Sequence, residues 1–249
     1  MQLYIERLNR EMQIHSFIFN WPRQYEKAKQ KEEQLSKIDG LKVTVINSDD
    51  AVTDYEPEWI NIGNDAYFTA QFLMALKLFQ GDILFHVQAD ASYNNWQKLI
   101  DDALMYHEKY MWGIYAPNVD YTWYDSSKTD INNIKLVDDN LKMVACPDCT
   151  CWFIDKNIIE DFHAANIEME KCKMGWGWDI ILPAFSFLKA RPVIRDYNHT
   201  IDHPRGTNYN SQQAELEMYD LYNKLPFELQ TLFRYIKGHR ENIARYFGV

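Results

Sequence analysis

The sequence predicts an α/β fold, a three-layer sandwich with a mainly parallel central sheet, followed by a helical C-terminal tail. Three observations predict it. Short apolar runs rich in branched and aromatic residues alternate with segments of helical period. The clearest run, Ile83-Leu84-Phe85-His86-Val87-Gln88, ends abruptly in Ala89-Asp90-Ala91-Ser92, as a buried parallel strand does when it delivers an acid to the carboxyl edge of a sheet. A length of 249 residues suits one domain with a substantial core, or one domain with a small appendage. The expected division is a main domain over residues 1–210 and a helical extension over 211–249 packed on it.

Taken in order, residues 14–20 read as a first strand, and Trp21-Pro22 leads into a charged helix over about 23–38. Gly40 punctuates before a second strand, 41–46, which ends in Asn47-Ser48-Asp49-Asp50. Residues 65–79 place Phe68, Phe72, Ala75, Leu76 and Phe79 at helical spacing, with Asn64 or Asp65 as the cap and Gly81 beyond the end. The strand 83–88 follows, then a helix over about 95–110, strands over 113–117 and 149–154, and a short helix over 156–162. Gly175-Trp176-Gly177-Trp178-Asp179 opens a helix over 180–190, residues 192–196 form a last strand, and the tail from Ser211 is helical. Such alternation builds a sheet covered on both faces.

The formal charge of -10 disfavours a generic nucleic-acid binder, and an acidic protein handling an anionic nucleotide is expected to use a metal as its local positive charge. Aromatic residues reach 15%, which slightly favours a carbohydrate or nucleotide ligand, although core packing and oligomer contacts use aromatics as well. No N-terminal apolar stretch has signal-peptide length and nothing approaches a transmembrane segment, so a cytoplasmic location is expected. Cys146, Cys149, Cys151 and Cys172 offer four thiolates to a structural zinc, or are packed, with Cys149 and Cys151 on one face of their strand. The tail mixes Phe227, Leu229, Leu232, Phe233, Ile236, Ile243 and Phe247 with Arg234, Lys237, Arg240 and Arg245. It reads as a helical pair packed on the sheet or on a subunit partner in an oligomer; the alternative is a basic surface for a membrane or polyanionic acceptor. Gly238 interrupts the pattern and favours packing.

Three features at strand or helix edges carry candidate chemistry. They are Asp90 after its strand, the Gly-flanked Trp176-Gly177-Trp178-Asp179, and the polar loop from His199 to Tyr209. Each has a plainer reading: Asp90 as a helix cap, Asp179 as a first-turn acid suited to the helix dipole, the tryptophans as packing, His203 as a surface histidine. His86, inside its strand, reads as a core histidine.

In their order these segments resemble nucleotide-sugar-dependent glycosyltransferases of the GT-A fold, a Rossmann-like sandwich, and in particular the family-two-like group, over roughly residues 12–210. Asn20-Trp21-Pro22 resembles the end of that family's first strand and its base-binding turn, and Asn47-Ser48-Asp49-Asp50 resembles the acidic turn that reads uracil or another base. Asn61-Ile62-Gly63 and its helix resemble the element before the metal strand. Gln88-Ala89-Asp90 resembles the Asp-X-Asp motif, with Gln88 where the first Asp normally stands. Gly177-Trp178-Asp179 resembles the acceptor-facing loop and acid, and Asp202-His203-Pro204 with Gly206 and Tyr209 resembles the His and loop that close the donor site.

The resemblance implies a nucleotide-sugar donor, a UDP-sugar first, held by Asn20, Trp21, Asn47, Asp49, Gln88 and Asp90. It implies a divalent metal, Mn²⁺ or Mg²⁺, on Asp90 and His203, where the imidazole favours Mn²⁺. Asp179 would be the base of an inverting transfer, with Trp176 and Trp178 on the acceptor. The acceptor would be a glycan, a lipid-linked sugar or a hydroxylated DNA base. Two rivals stand beside this reading. A nucleotidyltransferase would be expected to carry a Gly-rich, basic loop where Phe19-Asn20-Trp21-Pro22-Arg23 stands, and a catalytically silent nucleotide-sugar binding module is suggested by Gln88.

Overall fold

Strand β1 (Ile14–Asn20) is buried along its whole length and lies between two parallel neighbours, β2 (Lys42–Asn47) and β4 (Ile83–Gln88). The computed structural model describes residues 12–122, 126–136, 138–205 and 209–238. Its remaining strands are β3 (Ile60–Asn61), β5 (Ile114–Val119), β6 (Asp130–Lys135), β7 (Leu141–Val144), β8 (Cys151–Asp155) and β9 (Val193–Ile201). The helices are α1 (Tyr25–Leu35), α2 (Phe68–Leu78), α3 (Trp96–Tyr110), α4 (Lys156–Ala165), α5 (Trp178–Leu188), α6 (Ser211–Lys224) and α7 (Phe227–Gly238).

Alternation along the central strands sends side chains to two cores, one on each face of the sheet. Phe17 and Phe19 meet Phe72 of α2 and residues of α4 to α7, while Ile14 and Ile18 meet Ala28 and Leu35 of α1 and Leu99 of α3. The result is the expected α/β sandwich. The sheet order is β3-β2-β1-β4-β8-β5-β9-β7-β6. The pairs β1–β2, β1–β4, β2–β3 and β5–β9 are parallel, while β8 runs against both β4 and β5, and β7 against β6 and β9, so the sheet is mixed.

Several boundaries differ from the sequence reading, each for a local reason. Helix α2 starts at Phe68, because Asn64 accepts from the Asp50 backbone N–H at 2.8 Å and so is engaged elsewhere. Strand β9 continues to Ile201, since after an irregularity at Pro117/Asn118 it pairs again with β5 through Thr200 and Ile201; His199 therefore lies in a strand. The β6–β7 hairpin was not anticipated, for its sequence Asp-Ile-Asn-Asn-Ile-Lys is too polar to read as a strand. Cys149 precedes β8 and packs on one core while Cys151 packs on the other, so the two do not share a face. All four cysteines are free, and among the described residues they form no metal-binding group.

Helices α6 and α7 bury Met218, Leu221, Leu229, Leu232, Phe233 and Ile236 in the same core as α5. The tail residues Arg240, Ile243, Arg245 and Phe247, like Gly206 of the polar loop, lie outside the described residues. Among the described residues no helix is long and apolar enough to cross a membrane. Each buried apolar side chain of this pair contributes roughly 1.5–3 kcal/mol, and together they rival the total stability of a domain. A chain truncated after Asn210 is therefore expected to lose cooperative thermal unfolding. A truncated chain melting cooperatively near the full-length temperature would contradict this packing.

Candidate active site

The direction of the strands decides where the polar residues gather. The carboxyl ends of β1, β2, β4, β5 and β9 share one edge, and β8, running the other way, brings its amino end there. A cleft of about 1590 Å³ opens at this edge, lined among others by Trp21, Ser48, Gln88, Asp90, Asp148, Trp176, Asp179, His203 and Tyr209. That exceeds the usual volume of a single small-ligand pocket, about 300–1,000 Å³, and leaves room for two substrates. Although the whole chain is acidic, the lining carries, among the described residues, Arg23, Lys27, Lys128, Arg205 and Lys237 against three carboxylates. The cleft thus suits an anionic ligand.

On the β1–β2 side, Trp21 and Ser48 reach the cleft, whereas Asn20, Asn47 and Asp49 are buried and do not line it. Asn20 Nδ2 donates to Asn47 Oδ1 at 2.7 Å, Asn47 Nδ2 donates to the Asp49 carbonyl at 2.9 Å, and Asp49 accepts from the Ala51 N–H at 3.1 Å. These three therefore brace the turns that present Trp21 and Ser48, a correction to their expected direct contact with the donor. The cause is the packing of β2 against β3, which turns Asn47 toward Asn61, 2.5 Å away, inside the sheet edge.

Asp90 and His203 do meet. Ser92 and Asp202 exchange backbone hydrogen bonds of 2.8 and 2.9 Å, an antiparallel bridge that clips the turn after β4 to the loop after β9. The His203 N–H also donates to Asp120 Oδ1 at 2.8 Å. His203 Nε2 then stands 3.7 Å from Asp90 Oδ1, too far for a hydrogen bond, and Oδ1 is buried with no hydrogen-bond partner. Burial raises the Asp90 carboxyl above its ordinary range, and His203 opposes that shift. An orphaned carboxylate oxygen facing an imidazole nitrogen is a donor pair that fits Mn²⁺.

A second cluster, Asp102, Asp196 and His199, is tighter, with one ligand atom from each within 4.8 Å of the others. Its atoms are already engaged, however. His199 bonds Tyr93 Oη at 2.6 Å and Asp102 at 2.8 Å, and Tyr115 donates to Asp196 at 2.6 Å. This is a buried hydrogen-bond network under the Asp90 turn. His86 is also buried, packed against Phe19 and Phe68, and burial holds its pKa to about 3.

Asp179 lies in the first turn of α5 at the far side of the cleft, and the Gly177 N–H donates to it at 3.3 Å. Burial, and then the neighbouring Asp148 carboxylate, raise its pKa to about 7. The loop before it needs its glycines: Gly175 has φ +88°, and a Cβ there would come within 2.5 Å of the Phe68 ring. Trp176 faces the cleft and donates from Nε1 to Tyr209 Oη at 2.8 Å. Trp178 does not face it, contrary to its expected acceptor contact. Its indole is fully buried against Phe72 and Phe162 and donates to Thr69 Oγ1 at 3.0 Å, because a first-turn residue two positions on points into the core.

Sequence reasoning missed Asp148, whose position between cysteines drew attention to zinc. The visible signal was an Asx turn, in which Asp148 Oδ1 accepts from the Thr150 N–H at 2.8 Å. It also missed Met218, Ile236 and Lys237 of the C-terminal helices as cleft residues.

No family model and no curated protein matches the chain. Solved structures do. S. aureus TarS 1–349 in complex with UDP-GlcNAc aligns with a TM-score of 0.56 at 12% identity, over 95% of this chain and 73% of that one. S. aureus TarS aligns at 0.61 with 12% identity, over 95% of this chain and 44% of that one. GalNAc-T7 with UDP, GalNAc and Mn²⁺ aligns at 0.53 with 9% identity, over 91% and 50%. The chain has the GT-A fold of glycosyltransferases. It spans about half the length or less of two of these three structures.

The raised pKa of Asp179 has a consequence for stability. The folded chain holds this proton up to about pH 7, whereas an unfolded Asp releases it near 3.8, so Asp179 costs stability increasingly as pH rises between the two values and constantly above them. Asp179→Asn is expected to raise stability by about 1–3 kcal/mol at pH 8 and to change little at pH 4, measured by denaturant unfolding. Equal effects at both pH values would contradict the burial of this carboxylate.

Proposed function

We propose that the protein is a glycosyltransferase that moves a sugar from a nucleotide-diphosphate donor, a UDP-sugar first among them, to a hydroxyl acceptor with inversion. The observation that carries this reading is the placement of Asp90 with His203 and of Asp179 in one cleft of the GT-A fold. Trp21 and Ser48 line the end that would take the base, and Arg23 and Lys27 favour the diphosphate there. When bound, a divalent ion held by Asp90 and His203 would supply Lewis-acid stabilisation of the diphosphate as the glycosidic bond breaks. GalNAc-T7, which has UDP and Mn²⁺ in its structure, supports the choice of Mn²⁺.

Asp179 accepts the proton of the acceptor hydroxyl as that oxygen attacks the anomeric carbon from the side opposite the departing UDP. A base with a pKa of about 7 is matched to this task, partly ionised at neutral pH and more basic than an ordinary carboxylate. Trp176, held by Tyr209, offers an aromatic face to a sugar ring. The acceptor classes carried by this reading are a glycan, a lipid-linked sugar and a hydroxylated DNA base. The silent-module reading is favoured only by Gln88, which lines the cleft as a neutral amide where a second acid would strengthen metal binding.

Incubation with a panel of nucleotide sugars and Mn²⁺, following UDP release with and without acceptor hydroxyls, tests the proposal. Turnover is expected to rise about tenfold per pH unit up to about pH 7 and to level off above it. Asp179→Asn is expected to lower transfer by about 10²–10⁴ while UDP still binds. Binding of UDP without turnover on any donor and acceptor would favour the silent module, and no nucleotide binding at all would defeat the reading.

A further inference from the structure

Lys31 of α1 is the charged side chain that the proposed chemistry leaves unexplained. It is only 4% exposed, with its ammonium 4.9 Å from the Trp96 ring centroid. It donates to the Ala91 carbonyl, in the turn between Asp90 and Ser92. No carboxylate forms a salt bridge with it among the described residues, although Lys29, two positions away and more exposed, pairs with both Glu32 and Glu56. Burial lowers its pKa to about 8. An ammonium taken out of water without a paired acid is costly, so a merely structural role is a poor account of it.

What Lys31 faces supplies the account. The Ala91 N–H donates to the Gln88 carbonyl at 3.2 Å within the Asp90-Ala91-Ser92 turn, and two further contacts tie the turn to other elements. Ser92 is bridged to Asp202 on the His203 side, and Ala91 is held by Lys31 from the α1 side. Trp96, which lies under the ammonium, is itself tied to α1 by a 3.1 Å bond from its Nε1 to Gln34. The helix, the ring and the turn therefore form one unit directly behind Asp90.

We propose that Lys31 is a positioning residue for the donor site, whose buried ammonium pins the Ala91 carbonyl and so keeps Asp90 aimed at His203. The inference rests on the reading of Asp90 as a donor-side group. Without Lys31 the Ala91 carbonyl is left unpaired, the turn loses its tie to α1 and relaxes, and Asp90 loses its fixed relation to His203. Lys31 touches no reacting atom in this scheme; it acts through Asp90.

A double-mutant cycle read by calorimetry of UDP binding in the presence of Mn²⁺ tests this. Lys31→Met, similar in volume but without a donor, is expected to weaken UDP binding about tenfold, but less than about twofold further in the Asp90→Asn background. Lys31→Gln, which keeps a shorter donor, is expected to fall between wild type and Lys31→Met. Equal losses in both backgrounds, or no loss in the wild-type background, would overturn the inference. Should Lys31→Met not fold, wild-type affinity in Lys31→Gln would overturn it equally. Failure of the wild-type protein to bind UDP would instead defeat the glycosyltransferase reading, and the inference with it.

Discussion

The antiparallel bridge between Ser92 and Asp202 is the contact on which the rest of the cleft depends. In the sheet, β4 and β9 are separated by β8 and β5, three strand spacings or about 14 Å. Turns leaving such distant strands would not ordinarily meet. Two backbone hydrogen bonds close the gap and bring a carboxylate and an imidazole to 3.7 Å from each other. Below the bridge, the half-buried Tyr93 and Asp102 hold the buried His199 of β9, so both sides of the clip rest on hydrogen-bonded polar groups. Precision at Asp90 is thus a property of the sheet, not of one loop.

The reversed strand β8 is the second constraint. A parallel strand in its place would end at the cleft with its carboxyl terminus; running backwards, it enters there through Asp148-Cys149-Thr150. That entry sets a carboxylate beside Asp179 and helps to make it basic. Among the described residues the same edge collects five cations in a chain of net charge -10, so charge is partitioned between a basic cleft lining and an acidic remainder. Helices α6 and α7 complete this arrangement, because Met218, Leu221 and Phe233 form the floor on which Gly177 rests.

Much of this was legible in the sequence, for identifiable reasons. The strand carrying Asp90 was visible because a short apolar run ended at one acid, and Asp179 because glycines bracketed it before an apolar helix. What failed were judgements of orientation. Asn20, Asn47 and Asp49 sit at strand ends as expected, but a side chain at a strand end can point along the edge or back into it, and here hydrogen bonds among the three draw them inward. Trp176 and Trp178 looked equivalent in sequence, yet only one faces the cleft, since the helix begins between them. The β6–β7 hairpin is local but too polar to read as a strand, whereas the bridge and the burial of Lys31 depend on contacts between residues tens of positions apart, for which local pattern carries no signal.

A crystal structure with UDP and Mn²⁺ tests the central claim most directly, because it reports the base end, the diphosphate and the ion together. The account predicts the base against Trp21 and Ser48, with the ion on Asp90 and His203 in contact with the diphosphate. UDP bound outside this cleft, or an ion on Asp102, Asp196 and His199 instead, would contradict it.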